Sequence, residues 1–243
     1  MSKPFPSYYV VEEIFAEGLI LGQLHLFFPL ATPLQLAELR RCLIEDLPRF
    51  AIDTITVNPN FTCVFPPEKV VVDLQQVTLR GNLRKRYRGQ IKKTFNENDN
   101  LYARDLKFFS EDGDEDLEIE VVHPETIIIP VIPQTNIDLD FEVNVDTGSS
   151  HVMFNTCHVW FRPLKLGEAA PASQNVFEIV PETTPVFSNT TASSSSTISV
   201  MSSSIYPMIR GEEKAGYHFF IETNGAYTPM EALRAAIQIL KGR

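Results

Sequence analysis

Apolar positions along the chain fall into helical and extended stretches separated by proline, glycine and polar punctuation. Near the N-terminus, Leu19-Ile20-Leu21 and Leu24-His25-Leu26-Phe27-Phe28 read as a hairpin interrupted at Gly22. Thr32-Pro33-Leu34-Gln35 then sets a hydroxyl at the N-cap, proline at N1 and glutamine at N3. That is a capping box in which the missing proline N–H costs nothing. Leu36, Leu39, Leu43, Ile44 and Leu47 follow at helical spacing as far as Pro48, and residues 51–57 read as a strand. The middle of the chain is expected to be β-rich. Val70-Val71-Val72 and Val77-Thr78-Leu79 read as short elements there, and strands are expected over residues 126–131, 137–145, 158–161 and 217–221. A second capping box, Thr228-Pro229-Met230-Glu231, opens a helix with Met230, Leu233, Ile237 and Leu240 on one stripe and Gly242 at its stop. Residues 183–204 are dominated by Ser and Thr, and a flexible surface loop is expected there.

Composition narrows the class. The 243 residues are 44% apolar and 21% charged, as in globular proteins. Lys and Arg number 21 against 31 Asp and Glu, a net charge of -10 that repels a phosphate backbone. No direct specific contact with DNA is therefore expected. No apolar run reaches the ~20 residues of a membrane span, and Met1 to Pro6 lacks the apolar core of a signal peptide. The 3 cysteines, Cys42, Cys63 and Cys157, are odd in number and far apart, which favours free thiols in a reducing compartment.

Candidate chemistry is sparse. Asp146-Thr147-Gly148-Ser149 matches the turn that presents a catalytic aspartate in pepsin-like proteases, but that chemistry needs two carboxylates sharing a proton. No second such turn occurs, so a protease would have to be a dimer; a polar turn between strands is the plainer reading. Cys157 and His158 are adjacent, so on a strand they face opposite ways. The 5 histidines show no metal-ligand spacing, and no phosphate-binding glycine loop is present. A basic run (Arg80, Arg84, Lys85, Arg86, Arg88, Lys92, Lys93) and an acidic run over residues 111–120 read as solvated faces. No catalytic residue, cofactor or metal is expected.

Three blocks carry a family resemblance. Leu39-Arg40-Arg41, Pro48 and Ala51-Ile52-Asp53 resemble a signature of the third-largest subunit of eukaryotic RNA polymerase II and its archaeal counterpart. Leu101-Tyr102-Ala103-Arg104-Asp105-Leu106 is similar to a strand of the same subunit. Ile221-Glu222-Thr223-Asn224-Gly225, with Pro229, Glu231-Ala232, Arg234 and Ile239-Leu240, resembles the end of the bacterial α-subunit amino-terminal domain. The blocks stand in family order and frame residues 20–242.

The resemblance implies an α+β fold, with a split αβ dimerisation domain (1–57 and 155–243) and an inserted β-rich domain (58–154). It implies a non-catalytic assembly subunit of DNA-directed RNA polymerase. Such a subunit pairs with a smaller α-like subunit to form a platform for the second-largest and largest subunits, with small assembly subunits alongside. The expected partner interface is Leu36, Leu39, Arg40, Arg41, Leu43, Leu47, Glu222, Asn224, Met230, Leu233, Ile237 and Leu240. The family's zinc-binding cysteine cluster is missing and the segment around Pro67–Leu79 keeps only the apolar pattern; a bacterial-type DNA-binding domain after Arg243 is not expected. The divergence and the Ser-rich loop suggest a viral lineage. The expected location is intracellular, in the nucleus, or in cytoplasm and virion for a viral enzyme.

Overall fold

The computed structural model describes residues 5–15, 22–83, 85–110, 118–165, 168–171, 176–177 and 216–243. The Ser/Thr-rich stretch 183–204, Leu19-Ile20-Leu21 and most of the acidic run lie outside the described residues. The first segment holds β1 (Tyr8–Phe15), β2 (Gly22–Phe28) and α1 (Pro33–Arg41). The middle holds β3 (Pro48–Val57), α2 (Pro67–Gln75), β4 (Leu79–Gly81), β5 (Tyr87–Phe95), β6 (Asp99–Tyr102), β7 (Lys107–Ser110), β8 (Ile119–Val121), β9 (Ile127–Val131) and β10 (Thr135–Thr147). The last holds β11 (Cys157–Pro163), β12 (Val176–Phe177), β13 (Tyr217–Thr223) and α3 (Pro229–Gly242).

Strands from the two ends of the chain build one antiparallel sheet in the order β11-β13-β2-β1-β12. Side chains on successive residues of a strand point to opposite faces. Leu24, Leu26 and Phe28 of β2, Phe219 and Ile221 of β13 and Val159 of β11 therefore share one buried face, which α1 and α3 cover. The opposite face is aromatic. Trp160, Phe220 and His25 stand in register across β11, β13 and β2 and stack, with ring centroids 5.1 Å and 4.4 Å apart. The strand starting at Gly22 pairs with Tyr8–Phe15 as an antiparallel hairpin.

A second core lies in the middle of the chain. It is built on the sheet β3-β10-β5-β7, two short ladders (β4-β8 and β6-β9) and α2. Phe50 and Ile52 of β3 belong to this core and not to the first, because β3 pairs with β10 over most of its length. The expected dimerisation segment 1–57 thus includes a strand whose buried side chains pack with the second core.

Val70-Val71-Val72 is helical, not extended. Pro67 occupies N1, Glu68 lies in the first turn where the helix dipole favours an anion, and Lys69 and Asp73 pair at 2.7 Å one turn apart. Val70 and Leu74, four residues apart, bury one face against the second core. Packing of that stripe outweighs the weak strand preference of three β-branched residues. Truncating Leu74 removes a fully buried side chain. Leu74→Ala is expected to lower unfolding free energy by about 2–5 kcal/mol in urea titrations.

Candidate partner interface

Each covering helix begins with a complete capping box. The Thr32 hydroxyl accepts from the Gln35 backbone N–H at 3.3 Å while the Gln35 side chain accepts from the Thr32 N–H at 2.9 Å. Thr228 and Glu231 repeat this at 3.3 Å and 2.8 Å. The α-helix α1 stops at Arg41, and a wider turn over Cys42–Asp46 follows, where helical spacing had implied a continuous helix to Leu47. The cause lies in the loop after β10. Thr156 Oγ1 donates to the Leu43 carbonyl at 3.0 Å and the Ser149 N–H to the Glu45 carbonyl at 3.0 Å. Helix-end carbonyls satisfied from outside need no regular intrahelical partner. Cys42 Sγ then donates to the Ala236 carbonyl at 3.4 Å and Arg243 pairs with Asp46 at 2.9 Å, tying this turn to α3.

The sequence-derived interface residues divide into three groups. Leu36, Leu39, Leu43, Leu47, Leu233 and Ile237 are buried among Leu24, Phe28, Phe219 and Ile221 of their own sheet. In the chain taken alone they are covered by their own sheet, since the stripe that a helix buries first is the one over that sheet. Met230 and Leu240 are half-buried, and Leu34 on α1 is 69% exposed. On α3, Ala235 and Ile239 are also half-buried apolar positions. At 100° per residue, the apolar arc of α3 from Ala235 round to Met230 spans about 220°, well beyond the ~100° that covering one sheet requires.

The polar members have structural tasks. Arg40 Nε donates to the Val159 carbonyl of β11 at 2.9 Å, and Arg41 pairs with Glu45 at 2.8 Å on an exposed face. Glu222 accepts from Gln23 across the sheet at 2.5 Å. Asn224 holds a junction: its Nδ2 donates to the Asn155 carbonyl at 3.0 Å, its Oδ1 accepts from the Ala226 N–H at 3.1 Å, and His123 Nε2 from the second unit lies 3.3 Å from its carbonyl. Gly225 follows with φ 95°, a conformation L side chains rarely adopt, so Asn-Gly is required by the turn.

The Asp146 turn is also structural. The Asp146 carboxylate accepts from Ser150 Oγ and the Thr147 N–H, both at 2.7 Å, and these bonds hold its pKa below the usual carboxylate range. A Cβ on Gly148 would collide with the Ile44 carbonyl and the Asn155 side chain, so glycine lets this turn seat against the end of α1. Cys42 and Cys157 are buried, with pKa values pushed up to about 12 and about 11, chiefly by burial. Neither is poised as a nucleophile. Among the described residues no group of His, Cys, Asp and Glu is placed to hold a metal ion, and no helix is long and apolar enough to cross a membrane.

A sheet backed by two capped helices drawn from opposite ends of the chain, with a β-rich unit between them, is the arrangement to which the sequence comparison attaches a family. The family model of the RNA polymerase Rpb3/Rpb11 dimerisation domain matches residues 37–243. The chain belongs to that family and is an α-subunit-like assembly subunit of DNA-directed RNA polymerase. Its domain is a dimerisation and assembly domain, so its partner is a polymerase subunit. No curated protein matches the chain.

Two expectations follow from the ionisable groups. Cys63, half-buried, should react with iodoacetamide in the native protein, whereas Cys42 and Cys157 should label only on unfolding, as read by peptide mass spectrometry. On the aromatic face, His25 Nε2 and His218 Nδ1 are 2.8 Å apart. Burial, then His218 and Arg162, lower the His25 pKa to about 4, and burial and Arg162 lower that of His218 against the opposing pull of Glu168. The unfolded chain, with ordinary imidazoles, takes up these protons first. This contribution to stability is complete above pH ~6.5 and is lost as pH falls toward 4. Urea midpoints should drop from pH 7 to pH 5, and His25→Gln should flatten that slope.

Proposed function

We propose that this chain is a non-catalytic platform subunit that pairs with a smaller α-like subunit through α1 and α3, and that the pair receives the second-largest and largest subunits of the polymerase. The observation that carries this reading is the apolar arc of α3, which continues past the sheet it covers onto Ala235 and Ile239. Leu34, exposed at the start of α1, adds a second apolar position on the helix layer. Such surface is retained where a second protein covers it. A helix layer of the same kind in the partner would bury these residues by ridges-into-grooves packing.

In this reading the dimerisation unit comprises the segments up to Leu47 and from about residue 155 onward, and the insert begins with β3. Nucleotidyl transfer would reside in the large subunits, and small assembly subunits would join the platform. The subunit would work wherever its polymerase transcribes, inside the cell.

Co-expression with the smaller subunit separates the two faces of α3. Ile239→Asp is expected to weaken the pair by roughly 30-fold or more in size-exclusion and calorimetric titration while leaving the circular dichroism spectrum unchanged. Leu233→Asp places a charge in the chain's own core and is expected to abolish folding of the helix-covered sheet. Pairing that survives Ile239→Asp at full affinity would remove the helix-layer assignment.

A further inference from the structure

Pairing through α1 and α3 makes no use of two arginines at the junction of the two units, Arg49 and Arg80. Arg49 stands on β3 where the chain passes from one core to the other, and it is only 5% exposed. Its Nε donates to the Phe50 carbonyl at 3.1 Å and its Nη1 to the Asn155 carbonyl at 2.6 Å. Both acceptors are neutral, and a guanidinium offers five N–H donors. Among the described residues no carboxylate pairs with it. Asp146 is its cross-strand neighbour, yet the Asp146 carboxylate is turned to Thr147 and Ser150. Burial pulls the Arg49 pKa down to about 10 with no anion opposing it. A cation held in a chain's interior without a counter-ion is destabilising, and the cost is recovered if an anion comes from outside.

The surroundings allow an anion to enter. Arg49 lines an open cleft of about 320 Å³ between the units, with Arg80, Gly81 and Leu83 on one side and Tyr227 and Glu231 on the other. Tyr227 fixes the shape by donating its hydroxyl to the Pro48 carbonyl at 2.6 Å. Arg80 Nη2 reaches Glu231 at 3.4 Å and 3.5 Å, a long and solvent-exposed pair that can exchange partners at little cost. The first turn of α3 opens onto the same cleft through Glu231, which its own capping box holds.

We propose that this cleft seats an aspartate or glutamate side chain from a polymerase subunit that docks on the assembled chain, with Arg49 as the buried anchor and Arg80 as the second donor. The proposal rests on the assembly reading above. A single carboxylate matches the fork of one guanidinium. A doubly charged phosphate would instead meet Glu231 at the mouth and a chain of net charge -10.

The test is photocrosslinking in the full-length chain carried into its polymerase. Leu83, at the cleft mouth, is replaced by a benzophenone amino acid, and adducts are mapped by mass spectrometry. The expected adduct lies in an Asp- or Glu-bearing segment of a co-purifying polymerase subunit. Adding Arg49→Met should lower its yield by roughly 30-fold or more, the scale for losing one member of a desolvated charge pair. Should Arg49→Met fail to fold, Arg80→Gln in the same crosslinking strain is expected to lower the yield in the same direction. If polymerase subunits co-purify but Leu83 yields no adduct with them, or the yield ignores these substitutions, the cleft assignment falls and the assembly reading stands. If none co-purifies, the assembly reading falls and the occupant with it. Stabilisation of the isolated chain by inorganic phosphate, lost in Arg49→Met, would identify a free-anion site and overturn the polypeptide occupant.

Discussion

The pairing of β2 with β13 is the constraint on which the rest of the structure depends. It joins residues 22–28 to residues 217–223 and so closes a loop of nearly the whole chain. The cost of such closure grows only slowly with loop length, but it must be met before the non-local contacts reward it. What meets it is the apolar face that the two strands present together. Phe28, Leu26 and Leu24 lie opposite Tyr217, Phe219 and Ile221, and α1 and α3 cover the inner face of that ladder. Without the ladder the two helices would have no common surface, and the capping boxes would fix two isolated turns of no consequence.

The insert can fold within this arrangement because its core is separate. Its hydrophobic side chains run from Phe50 to Val143 and are built on a different sheet. The two units meet through directional contacts: Tyr227 on Pro48, Arg49 on Asn155, Arg80 on Glu231 and His123 against Asn224. These contacts fix the orientation of the two units. The turn Asp146–Ser150 belongs to the same set, since it returns the chain from the insert and seats on the end of α1.

Much of this was legible in the residues, and the exceptions have physical causes. The capping boxes of α1 and α3 were readable because hydroxyl, proline and Gln or Glu at fixed offsets are a local code. The strands 137–145 and 217–221 were readable from runs of branched and aromatic residues. The helix α2 was not, because three consecutive valines favour extension locally and only Val70 and Leu74 packing on the insert core reverses that. The direction of the leucine stripes was not legible either. Periodicity reports that a face is apolar, and cannot distinguish a sheet in the same chain from a second protein. Leu233 and Ile239 both fit an apolar helix, yet one is sealed beneath α3 and the other stands on its flank. Arg49 gave no signal at all, since its interest lies in burial without a counter-charge.

The contact between Arg40 and Val159 bears on how this molecule can grow. Among the described residues strand β11 ends the sheet, and an uncovered end strand invites another chain to add itself, copy after copy, into a filament. The guanidinium of Arg40 donates to one carbonyl of that strand, that of Val159. It obstructs the rim of the sheet at that point, so an added strand could not use that carbonyl without displacing the side chain.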